Sequence, residues 1–235
     1  IARLKKYKNI SFVLGEHRYQ DFEGKDFIIK AAGVPLDSPF IAYAKKAGVP
    51  VFMSTALFAS LIPAKVIGVT GTRGKTTVTY MIFFALRKLY RRGRVFLGGN
   101  IQGVSTLSLL PRIKKNDLVV LELDSWQLQG FGDLDIAPDI SVFTTFMPDH
   151  LNYYNNDLMR YFKDKLNIFR ISKKKHIFFA GEQLCSLPSR FTRLLPKETK
   201  FISNSHLPRD FTLTIPGDHN IYNASLAYAV LHALS

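Results

Sequence analysis

The run Val66-Ile-Gly-Val-Thr-Gly-Thr-Arg-Gly-Lys-Thr-Thr-Val78 constrains this chain more than any other stretch, because it forces a strand, a glycine turn and a helix into immediate succession. Val66 to Val69 form the short apolar run of a core strand, while Val78, Met81, Ile82, Ala85, Leu86 and Leu89 recur on one face of a helix. Between them, Gly71 and Gly74 let backbone N–H groups approach a ligand closely, and the helix N-terminus adds unpaired donors and positive dipole. A polyphosphate fits such a turn, with Lys75 reaching the β- and γ-phosphates and the Thr76 hydroxyl ligating Mg²⁺. The general phosphate-loop spacing is missed by one residue: Val69 stands where the first glycine belongs, and Gly68 lies one earlier. The plainer alternative, a turn that only joins strand to helix, leaves Lys75-Thr76-Thr77 without a purpose.

At 235 residues and 47% hydrophobic content the chain has material for one large domain or two smaller ones, and wholesale disorder is excluded. The single cysteine, Cys185, permits no internal disulfide. No apolar run approaches the roughly 18 residues that span a bilayer, and the opening Ile-Ala-Arg-Leu-Lys-Lys has no apolar core after it. A cytoplasmic, uninserted protein is therefore expected. The sequence starts at Ile1 and stops inside an apolar helical pattern, Asn223 to Leu234, so it reads as a segment cut at both ends. Its net charge of +14 is divided among clusters at 3–8, 87–94, 112–115 and 173–175, with no basic stripe carrying interleaved aromatics. A nucleic-acid partner is not expected; a small, highly anionic substrate would suit the field.

Residues 10–62 read as a small α/β unit: strands at Ile10 to Leu14 and Phe27 to Lys30, a Gly33-Val34-Pro35 turn, a helix from Pro39 to Ala47, a strand from Val49 to Met53 and a short helix near Leu57. Pro63 punctuates it, giving expected domains of 1–62 and 63–235. In the second, strands at 66–70, 94–97, 117–123, 140–144, 176–180 and 211–215 alternate with helices, which predicts a mostly parallel sheet covered on both faces.

Three further residues carry chemistry. Glu122 ends the apolar strand beginning at Asp117, and ligands of open parallel sheets bind beyond the carboxyl ends of strands, so Glu122 is placed to hold Mg²⁺. A surface ion pair is its plainer reading. His150 follows another apolar strand and can share that rim, although a lone histidine after a strand is most often structural. Lys165 falls in the middle of the apolar stripe Leu158, Tyr161, Phe162 and Phe169 of a helix predicted from Asp157 to Ile171. Either it snorkels along that face, or burial lowers its pKa and exposes a neutral amine.

With these residues in place, the chain resembles the Mur ligase family, and within it the D-glutamate-adding branch. Ala32-Gly33-Val34-Pro35 resembles the family's Ser-Pro-Gly-Ile-Pro turn, residues 70–77 its Thr-Gly-Thr-Asn-Gly-Lys-Thr-Thr loop, and Gly98-Gly99-Asn100-Ile101 its Gly-Gly-Asn-Ile-Gly segment. Leu121-Glu-Leu-Asp-Ser-Trp-Gln-Leu128 resembles Leu-Glu-Leu-Ser-Ser-Phe-Gln-Leu, Pro148-Asp-His-Leu-Asn152 resembles Pro-Asp-His-Leu-Asp, and Gly217-Asp-His-Asn-Ile-Tyr-Asn223 resembles Gly-x-His-Asn-x-x-Asn. The resemblance implies an α/β fold: a phosphate-loop central domain preceded by part of a Rossmann-like domain, with a carboxy-terminal amino-acid-binding domain absent.

It further implies ATP bound by Gly71, Thr72, Arg73, Gly74, Lys75, Thr76 and Thr77, with Asn220 and Asn223 near the nucleotide. Two Mg²⁺ ions would be organised by Thr76, Glu122, His150 and Lys165, the last as a carbamate formed with CO₂; Lys75, Glu122, His150 and Lys165 form the implied catalytic set. Gly33, Asn100 and Ser125 would lie near UDP-N-acetylmuramoyl-L-alanine. In the implied reaction of a monomeric enzyme, that substrate's carboxylate attacks the γ-phosphate of ATP and the amine of D-glutamate attacks the acyl phosphate, while 1–235 alone is silent. Arg73 and Thr145 replace asparagines of the pattern, Asp124 a serine, Gln102 a glycine and Asn152 an aspartate. Asp124, two residues after Glu122, would point to the same face of a continuing strand and could bind metal or alter substrate contacts. Another Mur-type ligase, a folylpolyglutamate synthase and a non-catalytic nucleotide-binding subunit are the competing readings.

Overall fold

The computed structural model describes residues 4–31, 33–35, 38–169, 176–208 and 210–234. They divide into two compact units, Ile1–Phe52 and Met53–Ser235. The first holds strand β1 (Ile28–Lys30), helix α1 (Pro39–Lys46) and most of β2 (Val51–Met53), the two strands pairing with each other. An aromatic cluster supports it, Phe22 stacking on Phe40 at 5.6 Å between ring centroids. The strand expected at Ile10 to Leu14 does not form: no neighbouring strand takes up its backbone groups, and Leu14 is 69% exposed.

The second unit is built on a six-stranded sheet in the order β4-β5-β3-β6-β7-β8, every pair parallel. Its strands are β3 (Lys65–Thr70), β4 (Val95–Gly99), β5 (Leu118–Glu122), β6 (Ile140–Phe143), β7 (Ile177–Gly181) and β8 (Lys200–Ile202). Helices α3 (Lys75–Leu89) and α7 (Asp218–Leu234) pack together on one face. Alternate strand residues Ile67, Val69, Leu118, Val120, Ile140 and Val142 join Val78, Ile82, Leu226 and Val230 from these helices in one buried cluster. The intervening positions serve the other face, where α4 (Ser125–Asp133) packs on α2 (Ser54–Leu61) and α5 (Leu158–Leu166). With both faces covered, the central strands are buried throughout, so they read as continuous apolar runs.

From β3 the chain runs to β4 and β5 on one side and then to β6 on the other, so the order reverses around the carboxyl end of β3. Ligands of open parallel sheets bind at such a reversal. The edge strand beside β7 is Lys200–Ile202 and not the expected 211–215. Pro208 and Pro216 bracket the latter run, and its Phe211 and Ile215 are 43% and 51% exposed in a loop. Helix α5 gives way to a 3₁₀ turn at Asn167–Phe169; the rest of the helix expected to Ile171, and the basic cluster at 173–175, lie outside the described residues.

Candidate functional site

The loop between β3 and α3 is folded by its glycines and gripped from β6. Gly71 has a φ of 146°, and a Cβ there would lie 1.9 Å from Thr144 Oγ1. Gly74 takes the left-handed conformation at the N-cap of α3, φ 83°, and a Cβ on it would meet Asn223 Oδ1 at 2.5 Å. The Thr72 N–H donates to the Thr145 carbonyl at 2.7 Å, and the Thr144 hydroxyl donates to the Arg73 carbonyl at 2.5 Å. These bonds leave the loop at close backbone approach, with the first N–H groups of α3 unpaired within the helix.

Around the loop stand charged groups from four elements. Lys75, first residue of α3, bends its ammonium back to the Thr72 carbonyl at 3.2 Å. Burial lowers its pKa, opposed by the carboxylates of Glu122, Asp124 and Asp149 and reinforced by Arg73. Glu122 is only 3% exposed, and among the described residues its Oε2 has no hydrogen-bond partner. Burial pushes its carboxyl up, while Thr76, Lys75 and Asn100 favour the charged form. A buried carboxylate oxygen without a donor, beside a hydroxyl at a helix start, fits a hard cation with oxygen ligands.

Lys165 lies inward, as its place in the stripe requires: it is 1% exposed, its Nζ donates to the Gly71 carbonyl at 2.9 Å, and it sits 4.9 Å from the centroid of the Tyr161 ring. Burial and the nearby Lys75 charge bring its pKa down to about 7, partly offset by Asp124, Asp149 and Asp164. Snorkelling is thereby excluded, since the amine ends in the interior. His150, at a φ of 52°, rests against Trp126 with ring centroids 5.1 Å apart and near Tyr161 at 6.1 Å. Among the described residues, no three His, Cys, Asp or Glu side chains gather as a ready metal cage.

Asp124 corrects the sequence reading. Strand β5 ends at Glu122, and Asp124 is instead the N-cap of α4: its Oδ1 accepts from the Gln127 N–H at 2.7 Å while Gln127 Oε1 accepts from the Asp124 N–H at 3.2 Å. Burial raises its carboxyl, opposed by the Gln127 N–H and by Lys165, Lys75 and His150, so the cap side chain is coupled to the groups around the loop.

The remaining expected residues are placed as follows. Thr76 and Thr77 lie in the first turn of α3; Asn223 is buried against Gly74, whereas Asn220 donates to the Pro216 carbonyl at 2.8 Å and ties down the start of α7. The Asn100 N–H donates to the Glu122 carbonyl at 2.8 Å, and Ser125 is buried in the first turn of α4. Gly33 belongs to the first unit and has open space around it. Sequence reasoning gave no role to Tyr161, whose hydroxyl is 3.4 Å from Thr72 Oγ1, or to Thr144, and marked Thr145 only as a departure from the pattern; the two threonines clamp the loop. The stripe around Lys165 contained Tyr161; a strand-end threonine pair carries no signal of its own.

The Mur ligase middle domain matches residues 69–187, the stretch that carries the loop, Glu122, His150 and Lys165. The chain belongs to the Mur ligase family. Among relatives of this Mur ligase chain, the UDP-N-acetylmuramoylalanine–D-glutamate ligase of Roseiflexus sp. (strain RS-1) is 39% identical over 143 residues, covering 61% of this chain and 30% of the relative. The enzyme of the same name from Clostridium kluyveri (strain ATCC 8527) is 30% identical over 249 aligned positions, covering 98% of this chain and 53% of the relative. The chain thus spans about half the length of that relative. The fold is shared with a Neisseria meningitides UDP-N-acetylmuramate:L-alanyl-gamma-D-glutamyl-meso-diaminopimelate ligase, at a TM-score of 0.62 and 15% identity, covering 100% of this chain and 77% of that one. It is shared also with Thermotoga maritima MurF ligase crystallised with ADP, at a TM-score of 0.54 and 17% identity, covering 92% and 62%. Among the described residues, no helix is long and apolar enough to cross a membrane.

Proposed function

We propose that this Mur ligase chain is the ATP-binding part of a cytoplasmic, monomeric ligase that joins D-glutamate to UDP-N-acetylmuramoyl-L-alanine. The observation that carries the reading is that Lys75, the buried Glu122 carboxylate on which Thr76 and Lys75 act, and the inward Lys165 come to one phosphate loop from three separate elements. The names of the relatives supply the substrate. Residues 1–62 would contribute to binding the uridine diphosphate substrate, through the Gly33 turn, and residues 63–235 would bind ATP.

In the reaction, the carboxylate of the acceptor attacks the terminal phosphate of ATP with loss of ADP, and the D-glutamate amine then displaces phosphate from the acyl phosphate. The protein's share is positioning and charge neutralisation. The loop's N–H groups and Lys75 would hold the phosphates in line, and Asn223 keeps the left-handed turn at Gly74 closely packed. Thr76 and Glu122 would hold Mg²⁺, with His150 and a carbamylated Lys165 serving a second ion. Bound metal would screen the negative charge that develops as the phosphoryl group moves. Asn100, directly after β4, and Ser125, first residue of α4, would face the acceptor.

Calorimetric titration with MgATP is expected to give a single-site isotherm for residues 1–235 that Lys75→Ala abolishes. Phosphate release with all three substrates is expected to stay at background for this chain and to appear in one of the relatives' full length, with D-glutamate preferred over L-alanine. Robust turnover by residues 1–235, or an L-alanine preference, overturns the corresponding part of the reading.

A further inference from the structure

Two departures from the family pattern, Arg73 and Thr145, stand 72 residues apart in sequence and meet in space. The Arg73 N–H donates to Thr145 Oγ1 at 3.0 Å, and that hydroxyl lies 3.2 Å from the Arg73 carbonyl, which also accepts from Thr144. Both backbone polar groups of Arg73 are thereby fixed. Its side chain is exposed and, among the described residues, makes no hydrogen bond or ion pair. In the chain Arg73 lies between Thr72, whose carbonyl holds the Lys75 ammonium, and Gly74, the N-cap of α3. Lys75 follows two residues later, and an anion bound at the loop would be attracted by both cations. Glu122, on which Thr76 and Lys75 act, keeps a buried Oε2 without a hydrogen-bond partner among the described residues, a place for the cation that accompanies a nucleotide's phosphates.

We propose that Arg73 is a specificity residue: its guanidinium engages the terminal phosphate of the bound nucleotide and sets a preference for triphosphate over diphosphate, with Thr145 fixing the backbone that aims it. This rests on the nucleotide reading above. A planar guanidinium offers paired donors matched to phosphate oxygens, which an asparagine at this position lacks. Its Coulomb attraction also grows with ligand charge, so ATP gains more from it than ADP does.

The test is calorimetric titration of the 235-residue chain with MgATP and, separately, MgADP. Arg73→Asn is expected to weaken MgATP binding by roughly tenfold or more, the worth of a charge-assisted hydrogen bond, and MgADP binding several-fold less. Arg73→Lys should fall between, and Thr145→Val should shift binding in the same direction by releasing the clamp. Lys88→Gln, on the exposed last turn of α3, removes one positive charge elsewhere and should change neither. Equal losses for the two nucleotides, or none, overturn the inference while leaving the nucleotide reading intact. Failure of the unaltered chain to bind MgATP overturns both. Thermal melts by circular dichroism, expected to be unchanged for Arg73→Asn at this exposed position, separate a binding loss from a folding loss.

Discussion

The Lys165 ammonium lies 2.9 Å from the Gly71 carbonyl oxygen, so the helix that carries the lysine and the turn that opens the phosphate loop are joined by one buried hydrogen bond. An ammonium kept from water at this depth gives up its proton readily, and its pKa falls to about 7 from the ordinary 10.5.

That displacement makes stability depend on pH in a definite sense. Between about pH 7 and 10.5 the unfolded chain holds a proton on Lys165 that the folded chain has released. Stability therefore rises with pH across this window, and the full cost of burial is present below it. Denaturant midpoints of the unaltered protein, taken relative to those of Lys165→Met, should rise from neutral to alkaline pH; a flat difference would show that the amine is not buried in solution. The same neutral fraction should let ¹³C-bicarbonate give a carbamate resonance that Lys165→Arg lacks.

Gly71 and Gly33 separate a glycine that the fold requires from one it tolerates. A Cβ at Gly71 would run into Thr144 Oγ1 at 1.9 Å and the Thr145 nitrogen at 2.9 Å, whereas nothing lies within 4 Å of one at Gly33. Gly71→Ala should cost about 2 kcal/mol or more in urea unfolding and abolish measurable MgATP binding, because the loop must shift to relieve the clash. Gly33→Ala should stay within about 0.5 kcal/mol. Comparable losses for both would mean that the loop is not held from β6.

Much of this was legible because it is periodic. The buried strands β3 and β5, the apolar face of α3 and the inward position of Lys165 all follow from spacing, since a covered sheet and a half-buried helix leave regular marks. The edge strand was not legible: Lys200–Ile202 is too short to show alternation, and it forms because β7 offers a free edge. The clamp on Arg73 was hidden for another reason. Its partners come from the end of β6, 71 and 72 residues away, and two threonines after a strand look like any others until the sheet order sets them beside the loop.

Asp124 shows how one side chain can serve fold and charge together, and the two can be separated. Asparagine and serine cap helices about as well as aspartate does, while alanine does not. Asp124→Ala should therefore lose about 1 kcal/mol in urea unfolding, and Asp124→Asn only a few tenths. Equal losses in both would assign the contribution to the charge beside Lys165 and Lys75 instead of the capping box with Gln127.

Glu122 gives the sharpest separation of metal from phosphate. With 3% exposure and one oxygen unpartnered, its ionised form is costly in the protein alone, which is why its carboxyl is pushed up. For an acid this sign means that the cost is borne at neutral pH and relieved as pH falls toward the raised pKa. Glu122→Gln keeps the shape and removes the charge, so in chelator the variant should be at least as stable as the unaltered chain. A ligand at a hundred times its Kd stabilises the folded state by about 2.7 kcal/mol. The unaltered chain should show a gain of that order with MgATP, and the variant should lose most of it. With ATP in chelator the two should respond alike, because the loop N–H groups and Lys75 act on phosphate without metal. A variant that is destabilised in chelator yet answers MgATP fully would make Glu122 a structural carboxylate and remove it from the metal site.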